Sequence, residues 1–179
     1  MRNRKHGTES KALDNGLPAA DRSNAELVRR TFYRLWSGDL DALREICTHE
    51  TVCRFPARTL RGGEEITAYF EETLAALPDM NMELLAISGE SDNVLIRWRM
   101  TGTHMSDFGG IAPTGKAIEL DGFEHFVFRG GKLVSVFVVS DQMQFARQIG
   151  MMPPDGSFPD RVMKFMFKVR TKLAGALER

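Results

Sequence analysis

The chain has 179 residues, 42% of them hydrophobic and 27% charged, and 24 basic side chains balance 24 acidic ones. That is the length of one compact domain, and the balance excludes a mainly electrostatic nucleic-acid binder and a wholly disordered chain. No apolar run approaches the roughly eighteen residues of a membrane span, no apolar stretch follows the charged Met1–His6 as in a secretory signal, and two cysteines, Cys47 and Cys53, suit a reduced, cytoplasmic setting.

The charge is unevenly spread. Residues 1–22 mix Lys, Ser, Gly, Asn and Pro with few large apolar side chains, and are expected to form a flexible tail. Residues 23–153 form the domain, in which residues 23–150 carry thirteen basic and eighteen acidic side chains. Residues 154–179 form a basic extension. Ser23 and Glu26 have the spacing of a capping box, and Val28, Phe32, Leu35 and Trp36 follow at helical intervals until Gly38. Asp39 can cap a short second helix that turns Leu40, Leu43 and Ile46 inward. A third helix starts after Gly62-Gly63, carries the stripe Ile66, Tyr69, Phe70, Leu74 and Leu77, and ends at Pro78.

From there the apolar period becomes two. Met82–Ile87 and Val94–Met100 read as strands, and Gly122–Phe128 and Leu133–Ser140 as a hairpin around Gly130-Gly131. Helices followed by a run of strands imply an α+β fold with the helices on one face of an antiparallel sheet. Beyond Pro153-Pro154, Val162, Phe165, Met166, Val169 and Leu173 recur at helical spacing, with Lys164, Lys168 and Lys172 in a second row. This last helix is expected to dock on the acidic domain or across a dimer partner; a membrane surface is the other reading.

Several short stretches, taken in order, resemble the SnoaL-like polyketide cyclases of the nuclear-transport-factor-2-like superfamily. They are Leu27-Val28-Arg29-Arg30, Gly38–Leu43, Ala76–Asp79, Arg97-Trp98, Gly102-Thr103-His104, Phe108–Lys116, Gly131–Val134, Asp141 and Arg147–Gly150. The resemblance spans about residues 24–153. It implies a cone-shaped curved sheet wrapped around the N-terminal helices, with a deep apolar pocket. That scaffold also carries isomerases, hydrolases, dehydratases and non-enzymatic binders.

The resemblance places a general acid/base at Asp141. An aspartate at a strand-to-helix junction is also an N-cap, and the two roles can coexist. Pairing around Gly130-Gly131 puts Glu124 opposite Phe137 and on the Asp141 face, with His125 on the other; a one-residue bulge would exchange them. His104 shares parity with Trp98 and Met100, so it is a candidate partner for Asp141, and Trp98, Met100, Phe137 and Tyr69 are the candidate lining. Arg54 stands where the family often has a histidine and, with Arg58 and Arg61, could hold an anionic oxygen. Val134, Val136 and Val138 would then form an apolar outer face for a homodimer.

Phosphate-loop, dinucleotide and metal-ligand spacings are missing, so neither cofactor nor metal is expected. The reading is a small cofactor-independent acid/base enzyme acting on an enolisable carbonyl compound by cyclisation, isomerisation, hydration or dehydration. The alternative is a non-enzymatic binding or interaction module on the same fold.

Overall fold

Helical spacing of apolar side chains in the N-terminal third builds one side of the core. In the computed structural model, which describes residues 19–177 and the side chains of 24–174, helix α1 (Ala19–Trp36) buries Ala25, Val28, Phe32 and Leu35. It takes in four residues expected in the tail; residues 1–18 of that tail lie outside the described residues. Helix α2 (Asp41–Ile46) buries Ala42, Leu43 and Ile46. The Asp39 carboxylate accepts the Asp41 N–H at 3.1 Å. Arg34 ties the two helices together, donating to Asp39 at 2.8 Å and to Glu45 at 2.7 Å.

Two short strands, β1 (Val52–Arg54) and β2 (Thr59–Arg61), precede helix α3 (Gly62–Ala76). Three residues are too few to show a period, and the sequence did not reveal either strand. Four long strands follow: β3 (Asn81–Glu90), β4 (Asn93–Thr103), β5 (Ala117–Arg129) and β6 (Lys132–Ser140). Helix α4 (Gln142–Ile149) and helix α5 (Phe158–Leu177) end the described chain.

The six strands form one sheet in the order β2-β1-β6-β5-β4-β3. The α+β class holds, but the sheet is mixed rather than wholly antiparallel, because β1 runs parallel to β6. Bulged registers at Leu85 in β3 and Val134 in β6 bend it around the helices. The β5–β6 hairpin turns at Gly130 and Gly131, both at positive φ (57° and 75°), as a two-residue turn of the favoured hand requires.

The bulge at Val134 corrects the expected faces of β6. Phe128 pairs with Leu133 as expected, but Val127 pairs with Ser135 and Glu124 with Val138. One extra residue therefore reverses the parity of the rest of the strand. Val136 and Val138 are buried in the core, whereas Phe137 and Val139 are exposed at 52% and 47%. The outer face carries these two with Leu95 and Phe123, beside Asp121, whose carboxylate Arg97 and Arg99 each hold at 2.7 Å. Those two hydrogen-bonded guanidiniums, Arg99 first, lower the Asp121 carboxyl to about 2.

Helix α5 does not dock on its own domain, the first of the two expected packing sites. Every side chain from Arg161 to Ala174 is exposed. A polar junction holds its first turn instead: Lys164 bonds Asp160 at 2.7 Å and Asp155 at 2.9 Å, and Arg147 reaches Asp155 at 3.3 Å. Asp160 is closed off inside that turn and also accepts the Gly156 N–H. Among the described residues no helix is long and apolar enough to cross a membrane.

Where β4 meets β5, Trp98 pairs with Gly122, and the indole lies across the glycine. A Cβ at residue 122 would fall 2.1 Å from the Trp98 ring. Gly122→Ala should therefore displace the indole and cost about 1–3 kcal/mol by overpacking. Urea denaturation with tryptophan fluorescence checks this; unchanged stability and emission would mean that the strands part freely there.

Candidate functional site

The concave face of the sheet and the three N-terminal helices enclose an apolar cavity of about 50 Å³. Its walls come from Val28, Phe32 and Trp36 of α1, Ile66 and Phe70 of α3, and Phe126, Val136 and Val138 of the hairpin. Cys53, Phe55, Thr31 and Cys47 also border it, and both cysteines are free thiols. Burial pushes the Cys47 thiol up to about 11 and the Cys53 thiol higher still, so neither is a ready nucleophile.

Glu124 is the one carboxylic acid in that wall. It sits on β5 opposite Ile96 and Val138, two buried aliphatic residues, so alternation aims it inward. Its exposure is to the cavity, and loss of hydration there pushes its carboxyl from the ordinary 4.5 up to about 7. The opposing influence is the enclosed indole N–H of Trp98, which lies near enough to favour the charged carboxylate but makes no hydrogen bond of its own. Trp98 and Glu124 are diagonal neighbours across β4 and β5, because Gly122 leaves room for the ring. Glu124 is in turn close enough to act electrostatically on Cys53 and Tyr69.

The other expected site residues separate. Asp141 is exposed, and its Oδ1 accepts the Gln144 N–H at 2.8 Å as the N-cap of α4. The bulge in β6 takes it off the cavity face, so it stands apart from Glu124. His104 is buried, 1% exposed, near the end of β4; its Nδ1 lies 3.2 Å from Thr114 Oγ1, and its Nε2 has no partner. It does not border the cavity, and Met100, half-buried on the same strand, does not either. Phe137, expected in the lining, is on the outer face for the reason given above. Arg54 is exposed and pairs with Phe137 across β1 and β6. The open choice between Glu124 and His125 resolves to Glu124, because His125 pairs with Phe137 and its Nε2 lies 2.9 Å from Asn93 Oδ1.

Tyr69 belongs to an aromatic cluster beside the cavity. Its ring lies 4.6 Å from Phe55 and 5.5 Å from Phe70, and the Arg58 guanidinium sits 4.8 Å above it. Trp36 closes on Phe70 at 5.4 Å. Ligand pockets commonly measure roughly 300–1,000 Å³, so the space inside this ring of side chains holds little more than a water or two. Sequence reasoning missed Cys53, Phe126, Val136 and Val138 as lining. Among the described residues no group of three His, Cys, Asp or Glu could hold a metal ion.

The profile of the SnoaL-like polyketide cyclase family matches residues 26–149. Solved structures share the fold. A protein from Jannaschia sp. CCS1 assigned as a SnoaL-like polyketide cyclase superimposes with a TM-score of 0.71 at 22% identity, over 78% of this chain and 99% of its own. AclR from Streptomyces galilaeus, assigned as a hydroxylase, gives 0.65 at 23% identity, over 74% and 99%. IdmH from Streptomyces antibioticus, assigned as a polyketide cyclase, gives 0.59 at 26% identity, over 71% and 98%. Comparison with curated proteins produced no match.

The raised Glu124 carboxyl has a thermodynamic consequence. Between pH 4.5 and about 7 the folded chain holds a proton there that the unfolded chain has released, so stability falls as pH rises through that window. Glu124→Gln removes the titration. The variant should gain on the parent by up to about 3 kcal/mol between pH 4.5 and 8, read from urea denaturation at both. A pH-independent difference between the two proteins would contradict a buried, shifted carboxyl.

Proposed function

The chain belongs to the SnoaL-like polyketide cyclase family, and from that premise we propose that it is a cofactor-independent acid/base enzyme with Glu124 as its proton-transfer group. The observation that carries this reading is a lone carboxyl in an apolar cavity, poised at about 7. A base of that strength at neutral pH can take a proton from a carbon between two carbonyls and can later return it. As the carboxylate, Glu124 removes the C–H proton and an enolate forms. The enolate carbon attacks a second carbonyl, making a carbon–carbon bond and an alkoxide, and protonated Glu124 gives the proton to that alkoxide. The nearby Trp98 N–H favours the carboxylate form.

Substrate must be apolar and must displace the half-buried ring of Trp36, Phe55, Tyr69 and Phe70 to enter. Cytoplasmic location belongs to the same proposal, supported by the two free thiols at the cavity.

The experiment is hydrogen exchange in D2O on a panel of 1,3-dicarbonyl compounds, followed by proton NMR. The chain should accelerate exchange at the carbon between the carbonyls. Glu124→Gln should lose about 10²–10⁴-fold, and Asp141→Asn should retain the rate. Full activity of the Glu124 variant would sink the assignment. Binding of these compounds without exchange would instead favour the non-enzymatic reading.

We also propose a homodimer through the outer sheet face, supported by Leu95, Phe123, Phe137 and Val139, which are exposed side by side. Sedimentation equilibrium should give a dimer for the parent and a monomer for Phe123→Glu with Phe137→Lys. A monomeric parent would contradict it.

A further inference from the structure

The strongest unexplained surface is helix α5. Its 20 residues would extend about 30 Å at the usual helical rise. Phe158, Phe165, Met166, Phe167 and Leu173 are each exposed at 61% or more, and Val162, Met163 and Val169 at about 40%. So much apolar surface on one element is not an ordinary solvated face.

At 100° per residue, the side chains divide into two arcs. Phe158, Val162, Phe165, Met166, Val169 and Leu173 share one face, Met163 lies at its flank, and Phe167 is nearly opposite its centre. Arg161, Lys164, Lys168 and Lys172 occupy the other, with Thr171 at its edge, and Arg170 sits within the apolar flank. Asp160 is the helix's single acidic residue among those described, and Lys164 already holds it. Arg161, Lys168, Arg170 and Lys172 make no ion pair among the described residues.

A second copy of α5 is a poor occupant. Its one described acidic residue, Asp160, is already held by Lys164, so a second helix would bring no acidic row to meet these cations. The seam of coiled-coil period, Val162, Met166, Val169 and Leu173, is apolar but narrow and would leave Phe158, Phe165 and Phe167 outside its core positions. The acidic domain does not take the helix either, since the polar junction at Asp155 and Asp160 directs it away.

We propose that α5 lies on an anionic phospholipid surface. Its phenylalanine, methionine, valine and leucine side chains would enter the acyl boundary while the lysines and arginines meet the headgroups. The net-acidic domain would be repelled by the same surface, so attachment runs through the helix alone.

The test is co-sedimentation of the full chain with phosphatidylcholine vesicles, with and without phosphatidylglycerol. Binding should require the anionic lipid and should fall as salt is raised, since the charges are exposed. Lys168→Gln with Lys172→Gln should weaken it by about ten-fold or more, because each cation near the surface contributes about five-fold. Phe165→Ser with Met166→Ser should weaken it comparably. Neither pair touches the core, so melting temperature should stay at the parent value. The proposal is overturned if the parent does not sediment with anionic vesicles, or sediments equally with neutral ones. It is also overturned if the serine pair lowers the molar mass in lipid-free solution, which would make a second copy the occupant.

Discussion

A carboxylic acid held in an apolar interior is the constraint on which the site depends. An unpaired charge there is costly, so the side chain either stays protonated near neutrality or finds a partner. Glu124 has aliphatic neighbours across both adjacent strands, and the Trp98 indole N–H is the group that favours its charged form. That proximity depends on Gly122, since any larger residue would meet the indole. Three positions on two strands are thus linked: a glycine makes space, a tryptophan fills it, and the carboxyl two residues along lies within the influence of the indole N–H.

The order of elements was legible because the apolar spacing in α1, α3 and the four long strands has a clear period. Faces were less legible. Glu124 was placed inward, but through a register wrong by one residue, and the same register put Phe137 inside and Val136 and Val138 outside. The cause is the extra residue at Val134, for which a run of apolar, β-branched residues carries no local signal. Asp141 shows a different difficulty. An aspartate at the start of a helix satisfies a backbone N–H whatever else it does, so sequence position alone does not bring it to a cavity. A signal was available at Gly122, because glycine inside a strand often marks a close approach.

The two apolar surfaces outside the core follow from the same economy of sequence. A sheet whose concave side is filled by helices leaves a convex side on which Leu95, Phe123, Phe137 and Val139 are exposed, with the ion-paired Asp121 at one end. There the aliphatic and aromatic groups are neighbours of fixed charges, as in a surface made for a specific partner. The surface of α5 differs, running along one helix beside a row of cations of which, among the described residues, Lys164 alone is ion-paired. One face suits shape complementarity with protein, the other a fluid, charged layer.

The most direct measurement is titration of the Glu124 side-chain carboxyl, followed by carbon-13 NMR on protein labelled at glutamate and assigned with Glu124→Gln. A midpoint near 7, moving higher when Trp98 is replaced by phenylalanine, is the expected result, since loss of the indole N–H removes the group that favours the anion. A midpoint near 4.5, unaffected by that replacement, would show a hydrated carboxylate and contradict the account of the site.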